Sequence, residues 1–437
     1  MKKILICLAF LNFYNLGHSQ NYFSTSVSSN DFVHSGGVIK FNNKNLIITS
    51  EFCGGFGGND CGHVLEIEND GSISYIHELD DIFLYDKSFI SNDDRLTIVG
   101  RKDNNSITIL QFDTSMNQVQ QQTYNVSATL WIYDVIEYAG YFVVAAYNYG
   151  STNNSNFPRL YWFDATDLSL DYVYMNELNI SSFRELAIDS ENNLRVFNSR
   201  NDEQFILKFN TNKELIDALD VSTSDTIIGN LNFEMIQDDQ VLFGLVHKKH
   251  LQCYSSGGQL NWEKNIASAF GISEIRYIQQ LKEVANGDIL LCGGLQRNGF
   301  NYGFIYMLSS TGSEKWKRIY SVNGSLSNWL KGFTEISNDE YLFYGTSRLV
   351  YVPTTTAHDS HWAMKTDANG CIENYCGNEI TIVSTNESRF VDIETYPNPV
   401  ATQFSVERYR IRSTRSIPVN EYDRKYNPTR LNFQSYY

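Results

Sequence analysis

GDILLCGGLQRNGFNYGFIYMLSSTGSEKWKRIY, residues 287–320, decides the fold. A turn residue, Gly287, leads into the short apolar run DILLCGG. A second run, FIYML, ends in the polar turn SSTG and gives way to KWKRIY. Just upstream, RYIQQL supplies one more run of the same kind. Short apolar and aromatic runs punctuated by Gly, Asn and Ser read as β-strands joined by tight turns. Four in succession make one small antiparallel sheet.

The unit recurs. Asn45 precedes LIITS, Asp94 precedes RLTIVG, Gly140 precedes YFVVAAY, Asn193 precedes LRVFNS, Asp239 precedes QVLFGLV and Asp339 precedes EYLFYG. These anchors lie 46 to 53 residues apart. The third strand and its turn follow at matching offsets, in VLEIENDGSI (64–73), ILQFDTSMNQV (109–119), LYWFDATDLSL (160–170), ILKFNTNKEL (206–215), LQCYSSGGQL (251–260) and AMKTDANGCI (363–372). Turn triplets such as Asn69-Asp70-Gly71, Ser256-Gly257-Gly258 and Ala368-Asn369-Gly370 supply the positive φ of tight hairpins. Four short strands at this period are the blade of a β-propeller, close to the kelch repeat length. A β-solenoid needs a shorter repeat. The fold expected is all-β, a propeller of seven four-stranded blades between about Phe32 and Cys376, with six or eight the neighbouring counts. Tyr22 to Val27 is a candidate to pair with the last blade and close the ring.

Residues 287–320 and EYLFYG…HWAMKTDANGCIENYC (340–376) resemble the repeat of secreted Bacteroidota propellers, in which a strand is followed by K-x-D-x-x-G and then W. These two Trp-bearing units also resemble quinoprotein-type blades, and Trp262 and Trp316 occupy equivalent strand positions in consecutive units, where they read as blade-packing residues. About 100 residues carry the likeness and the first four repeats depart from it. It implies a Bacteroidota source and a surface or extracellular destination, and no reaction.

The chain has 34 Lys and Arg against 50 Asp and Glu. That balance argues against nucleic acid, which requires clustered cations, and against docking on anionic lipid. Met1-Lys2-Lys3, the apolar run Ile4 to Phe13, and small residues Gly17 and Ser19 form a secretory signal, with cleavage expected between Ser19 and Gln20. The apolar run is too short to span a bilayer, and no transmembrane segment is expected in the mature chain. Cys7 lies inside that run, not at its end, which disfavours a lipid anchor. Cys53 with Cys61, and Cys371 with Cys376, close short loops and are candidate disulfides in an oxidising compartment, with a metal site as the lesser alternative for each. Cys253 and Cys292 lie in strand patterns and read as buried thiols.

Composition changes after Ser384, and four of the six prolines follow it. Tyr396-Pro397-Asn398-Pro399-Val400, followed by Phe404-Ser405-Val406, resembles the start of the type IX secretion (Por) C-terminal sorting domain, a small β-sandwich read by the outer-membrane export machinery. Residues 401–437 then depart from that family: they contain no Gly, and ERYRIRSTR is basic. The tail reads as a divergent or truncated, partial β-type sorting segment. The domains expected are a signal peptide at 1–19, propeller repeats at 20–384, and a linker with sorting tail at 385–437.

No catalytic motif stands out, and neither catalytic residue, metal nor cofactor is assigned. His247 with His250, and His358 with His361, share an i,i+3 spacing that points to opposite faces in a strand. Asp367-Ala-Asn-Gly echoes a calcium loop but lacks the rest of it, and reads as a hairpin turn. The run Gly54 to Gly58 lacks the GK[ST] of a phosphate cradle. Three roles follow: an exported binding module for a glycan or protein, a passive adhesion protein, or an extracellular enzyme (polysaccharide lyase, hydrolase or quinoprotein-like). The enzyme reading requires titratable groups from several blades to converge at the channel mouth.

Overall fold

The computed structural model describes residues 24–382, apart from 29–32, 54–58, 69–70, 80–83, 127–128, 150–156, 176–181, 201–202, 222–230, 246–249, 273, 324, 338–339, 351–356 and 373–375. All belong to the unit Met1–Glu387; a second unit, Ser388–Tyr437, lies outside the described residues.

The chain forms a seven-bladed β-propeller. Blade 1 is Val33–Phe41, Lys44–Cys53, Asn59–Ile67 and Ile73–Leu79. Blade 2 is Leu84–Ile90, Leu96–Arg101, Ser106–Phe112 and Gln118–Asn125. Blade 3 is Thr129–Tyr138, Tyr141–Tyr149, Phe157–Asp164 and Leu170–Met175. Blade 4 is Ser182–Ile188, Leu194–Arg200, Glu203–Phe209 and Leu215–Asp220. Blade 5 is Leu231–Ile236, Gln240–Leu245, His250–Tyr254 and Leu260–Asn265. Blade 6 is Glu274–Glu283, Ile289–Arg297, Phe300–Leu308 and Glu314–Val322. Each is an antiparallel meander. The first strands of successive blades touch one another, and that of blade 7 touches that of blade 1, so seven inner strands ring a channel.

Blade 7 departs from the expected sequence order. Its first three strands are Ser325–Ser337, Glu340–Val350 and Ala357–Thr366, but its fourth is the N-terminal Ser24–Ser28, running from Ser24 opposite Met364 to Ser28 opposite Ser360. The candidate closing segment therefore closes the ring. The last repeat contributes three strands, because the fourth position is already filled. Its chain turns at 367–371 and then passes to blade 6, where Glu379–Ile382 pairs in parallel with Glu314–Val322.

The core is divided among the blade interfaces. Among the described residues seven buried apolar clusters occur, one between each pair of neighbouring blades, and the last joins Ile336, Leu342, Tyr344 and Ala363 of blade 7 to Ile47, Leu65 and Ile67 of blade 1. Alternate residues of one strand serve different interfaces: Ile289 and Leu291 face blade 5, whereas Leu290 and Cys292 face blade 7. A strand buried on both faces reads as a continuous apolar run, which is why ILLC is uninterrupted.

The two ends of the ring differ. Third and fourth strands are joined by five residues in each of blades 1–6: 68–72, 113–117, 165–169, 210–214, 255–259 and 309–313. The fourth residue of each has positive φ, whether glycine (Gly71, Gly258, Gly312) or not (Met116, Leu168, Lys213). At the opposite end the connections vary from two residues (201–202) to ten (221–230). One of these carries the helix Ile266–Phe270, capped by the Asn265 side chain accepting from the Ser268 amide and ended by left-handed Gly271.

Candidate functional site

The inner strands carry a polar belt that the sequence reading did not single out. Lys87, Asp134, Glu185, Asn232 and Gln280 occupy one register position, each opposite the equivalent residue of the second strand: Val99, Ala145, Phe197, Gly244 and Cys292. In blades 2, 3, 4, 6 and 7 a β-bulge lies just before this position, leaving Asp86, Tyr133, Arg184, Gln279 and Lys331 as the extra residues. A bulge bends its strand and re-aims the next side chain. Here that side chain reaches the neighbouring blade.

Asp134 accepts from the Leu186 amide at 2.8 Å and pairs with the Lys87 ammonium at 2.7 Å. Glu185 accepts from the Phe233 amide, and Asn232 donates to the Ile278 carbonyl. Gln280 accepts from the Phe333 amide at 2.6 Å. Blade 7 has Gly332 at this position, where a Cβ would lie 3.0 Å from the side-chain Oε1 of Gln280. The belt thus pairs backbone groups that an inner strand leaves open on its channel edge.

Two further sets of contacts lie toward the tight-turn end. Glu137, Asp239, Glu283 and Glu335 accept from the amides of Asn92, Ser190, Gln237 and Ala285 in the preceding blade, at 2.7, 2.7, 2.8 and 3.0 Å. On the outside, fourth strands hold the next blade's turn. Gln120 donates to the Thr166 carbonyl at 3.1 Å, Asp171 pairs with Lys213, and the Trp262 indole donates to the Ser310 carbonyl at 3.1 Å. Trp262 and Trp316 pack so closely on Gly312 and Gly370 that a Cβ at either glycine would lie 2.6 Å from an indole carbon. These tryptophans join blades.

Burial sets the electrostatics of the channel. Burial, reinforced by the neighbouring Asp134 carboxylate, holds Glu185 well above the ordinary carboxylate range. Burial raises Glu234 to about 7, against the opposing pull of Lys282 and Lys87. Three carboxylates and two lysines from blades 2 to 6 therefore share the channel wall, and the convergence that an enzyme requires is partly met. Their chemistry is restrained, because Asp134 and Glu185 already serve backbone amides.

The residues anticipated from sequence lie elsewhere. Cys371 and Cys376 are joined by a disulfide, their Cα atoms 4.6 Å apart. Cys61 is disulfide-bonded; the Cys53 side chain lies outside the described residues, although its strand places it opposite Asn59. Cys253 and Cys292 are buried free thiols. The His250 ring contacts Glu263 through Nδ1 and Asn265 through Nε2, the latter at 2.7 Å. His361 is buried with Nδ1 2.9 Å from the Tyr344 hydroxyl. The side chains of His247 and His358 lie outside the described residues. Asp367 closes its own turn, accepting from the amides of Asn369 and Cys371 at 2.8 Å each. Among the described residues no cluster of three or more His, Cys, Asp or Glu is arranged to hold a metal. No helix among them is long and apolar enough to cross a membrane. Ser19, Gln20 and the motif Tyr396 to Val400 lie outside the described residues.

The belt did leave a sequence signal. Lys87, Asp134, Glu185, Asn232 and Gln280 recur every 47 to 51 residues, six to eight residues before the turn anchors. A polar residue at the repeat period inside an apolar strand marks the belt.

No protein-family model matches the chain, and no curated protein matches it. Solved structures similar to it include a catalytically inactive virginiamycin B lyase from Staphylococcus aureus with quinupristin, at 13% identity and TM-score 0.49 over 79% of this chain and 100% of that one. A streptogramin B lyase gives 11% identity and TM-score 0.48 over 79% and 98%. A protein of unknown function from Bacteroides caccae gives 12% and 0.42 over 61% and 92%. At these values the likenesses carry no argument about activity or ligand.

Proposed function

We propose that the protein is an exported binding module that takes a glycan or protein outside the inner membrane, at the end of the ring where the connections vary. The observation carrying this reading is the contrast between the ends. Short connections of two to five residues, tied into blade-to-blade contacts, form one end, while connections of two to ten residues form the other. Loops that vary on a constant scaffold are where binding residues concentrate. The occupied carboxylates of the channel favour binding over catalysis.

Export enters through the signal and the tail. Cleavage between Ser19 and Gln20 leaves Ser24–Ser28 to complete blade 7. Intact mass with cell fractionation tests this part. A surface or medium species starting near Gln20 and ending before about Tyr396 is expected; a full-length periplasmic species overturns sorting by the tail. For binding, the full chain is presented to arrayed glycans and extracellular proteins. Replacing 150–156 and 221–230 by Gly-Ser segments should abolish binding while the thermal transition stays in place. Binding indifferent to both replacements removes the assignment to that end.

Glu234 favours a second reading. A half-buried carboxyl raised to about 7 is suited to proton transfer at neutral pH. Polysaccharide depolymerisation that Glu234→Gln abolishes would establish an enzyme.

A further inference from the structure

The chain has six tryptophans, and of these only Trp131 is largely exposed, at 54%. It lies near the start of the inner strand of blade 3, at the end of the ring with variable connections. The second strand of that blade places Tyr147 opposite Trp131 and Tyr149 opposite Thr129. Opposed residues share a sheet face, so Trp131, Tyr147 and Tyr149 make one continuous aromatic surface, with Tyr149 57% exposed. Tyr133, the bulge residue, adjoins it on the channel strand. Burial, and then the nearby phenols of Tyr133 and Tyr149, hold the Tyr147 hydroxyl above its usual range. That hydroxyl keeps its proton at neutral pH, able to donate and to accept.

Two guanidinium groups brace the rings. Arg101 is buried, donates to the Leu130 carbonyl at 2.8 Å, and sits 5.6 Å from the Trp131 ring. Arg184 sits 4.5 Å from the Tyr133 ring. A buried cation behind an exposed indole fixes the ring plane and leaves its outer face to solvent.

Large exposed rings grouped at a loop end mark a binding surface. Their chemistry narrows the ligand. Nucleobases also stack on aromatic rings, but a nucleic acid requires a cationic track, and this chain carries a formal charge of −16. A protein partner requires roughly 800 Å² per side, more than three partly exposed rings supply at about 150–250 Å² each in full. A pyranose fits: its C–H face lies flat on an aromatic ring, and its equatorial hydroxyls reach the phenols around the rim. We propose that Trp131, Tyr147 and Tyr149 form a stacking subsite for neutral pyranose units of a glycan. The assignment rests on the binding role above and names its ligand class.

The test uses the full chain on a printed array of neutral gluco-, manno-, xylo- and galacto-configured oligosaccharides, followed by fluorescence titration with the tightest binder. Binding should shift the tryptophan emission and protect one indole from N-bromosuccinimide. Trp131→Ala and Tyr149→Ala should each weaken binding by about tenfold or more, and Trp131→Phe by less than about threefold. Tyr172→Ala, on the outer strand of the same blade, should change nothing, and all four variants should melt with the parent. If no neutral oligosaccharide binds, the subsite is overturned while a protein ligand still satisfies the broader role. If a glycan binds and Trp131→Ala leaves its affinity intact, the glycan role stands and this location is overturned.

Discussion

Glu234 shows how a single half-buried group couples the ring to pH. Burial raises its pKa to about 7, so the folded protein holds this proton more tightly than the unfolded chain does. Where the native state binds more protons, stability falls as pH rises. Its contribution is complete below the ordinary carboxylate range and is lost as pH climbs toward about 7; Glu185, also raised, acts with the same sign. Asp189 acts oppositely: burial raises it, but the amide and side chain of Asn193 and the ammonium of Lys208 leave it lowered, so its contribution is lost only in acid. The urea midpoint should therefore fall between about pH 5 and pH 7.5, and Glu234→Gln should flatten part of that slope. An unchanged slope in the variant would assign the titration to another group.

At the level of the turn, one conformation serves several residue types until a neighbour intervenes. Met116 and Lys213 adopt the positive φ that Gly312 also adopts, 66° in both against 77°. Left-handed backbone alone is therefore tolerated here at modest cost. Gly312 differs because Trp262 of the preceding blade covers it, leaving 2.6 Å to an added Cβ. Gly312→Ala should destabilise by roughly 2–4 kcal/mol, combining strain with overpacking. Adding Trp262→Leu should return a large part of that loss, read as coupling in a double-mutant cycle. Strict additivity of the two changes would show that the indole is not what excludes the side chain.

For the whole ring, stability depends on both ends of the propeller meeting. Ser24–Ser28 gives blade 7 its fourth strand, and the interface of blades 7 and 1 completes the circle of cores. Starting the chain at residue 33 leaves the Ala357–Thr366 edge unpaired. An exposed strand edge recruits other chains. Such a chain should melt earlier and less cooperatively than one starting at Gln20, and should elute partly as oligomers by size exclusion. A monomer with the parental transition would show that ring closure rests on side-chain packing alone.

Most of the architecture was legible because a propeller repeats its chemistry. The apolar second strands, the turn residues and the spacing of 46 to 53 residues together determined an all-β fold of repeated four-stranded units. Periodicity also equated Trp262 with Trp316, and the structure seats each on the glycine of the next turn. The source of the fourth strand of blade 7 was decided only by the closed ring, since strand pairing between residues 24–28 and 360–364 is set by where the circle ends, not by local propensity. The same holds for the belt of Asp134, Glu185 and Gln280 and for the surface of Trp131, Tyr147 and Tyr149. Each side chain is an ordinary strand residue in its own segment. The partner that gives it a role lies on a neighbouring blade or an adjacent strand, and only tertiary packing brings the two together.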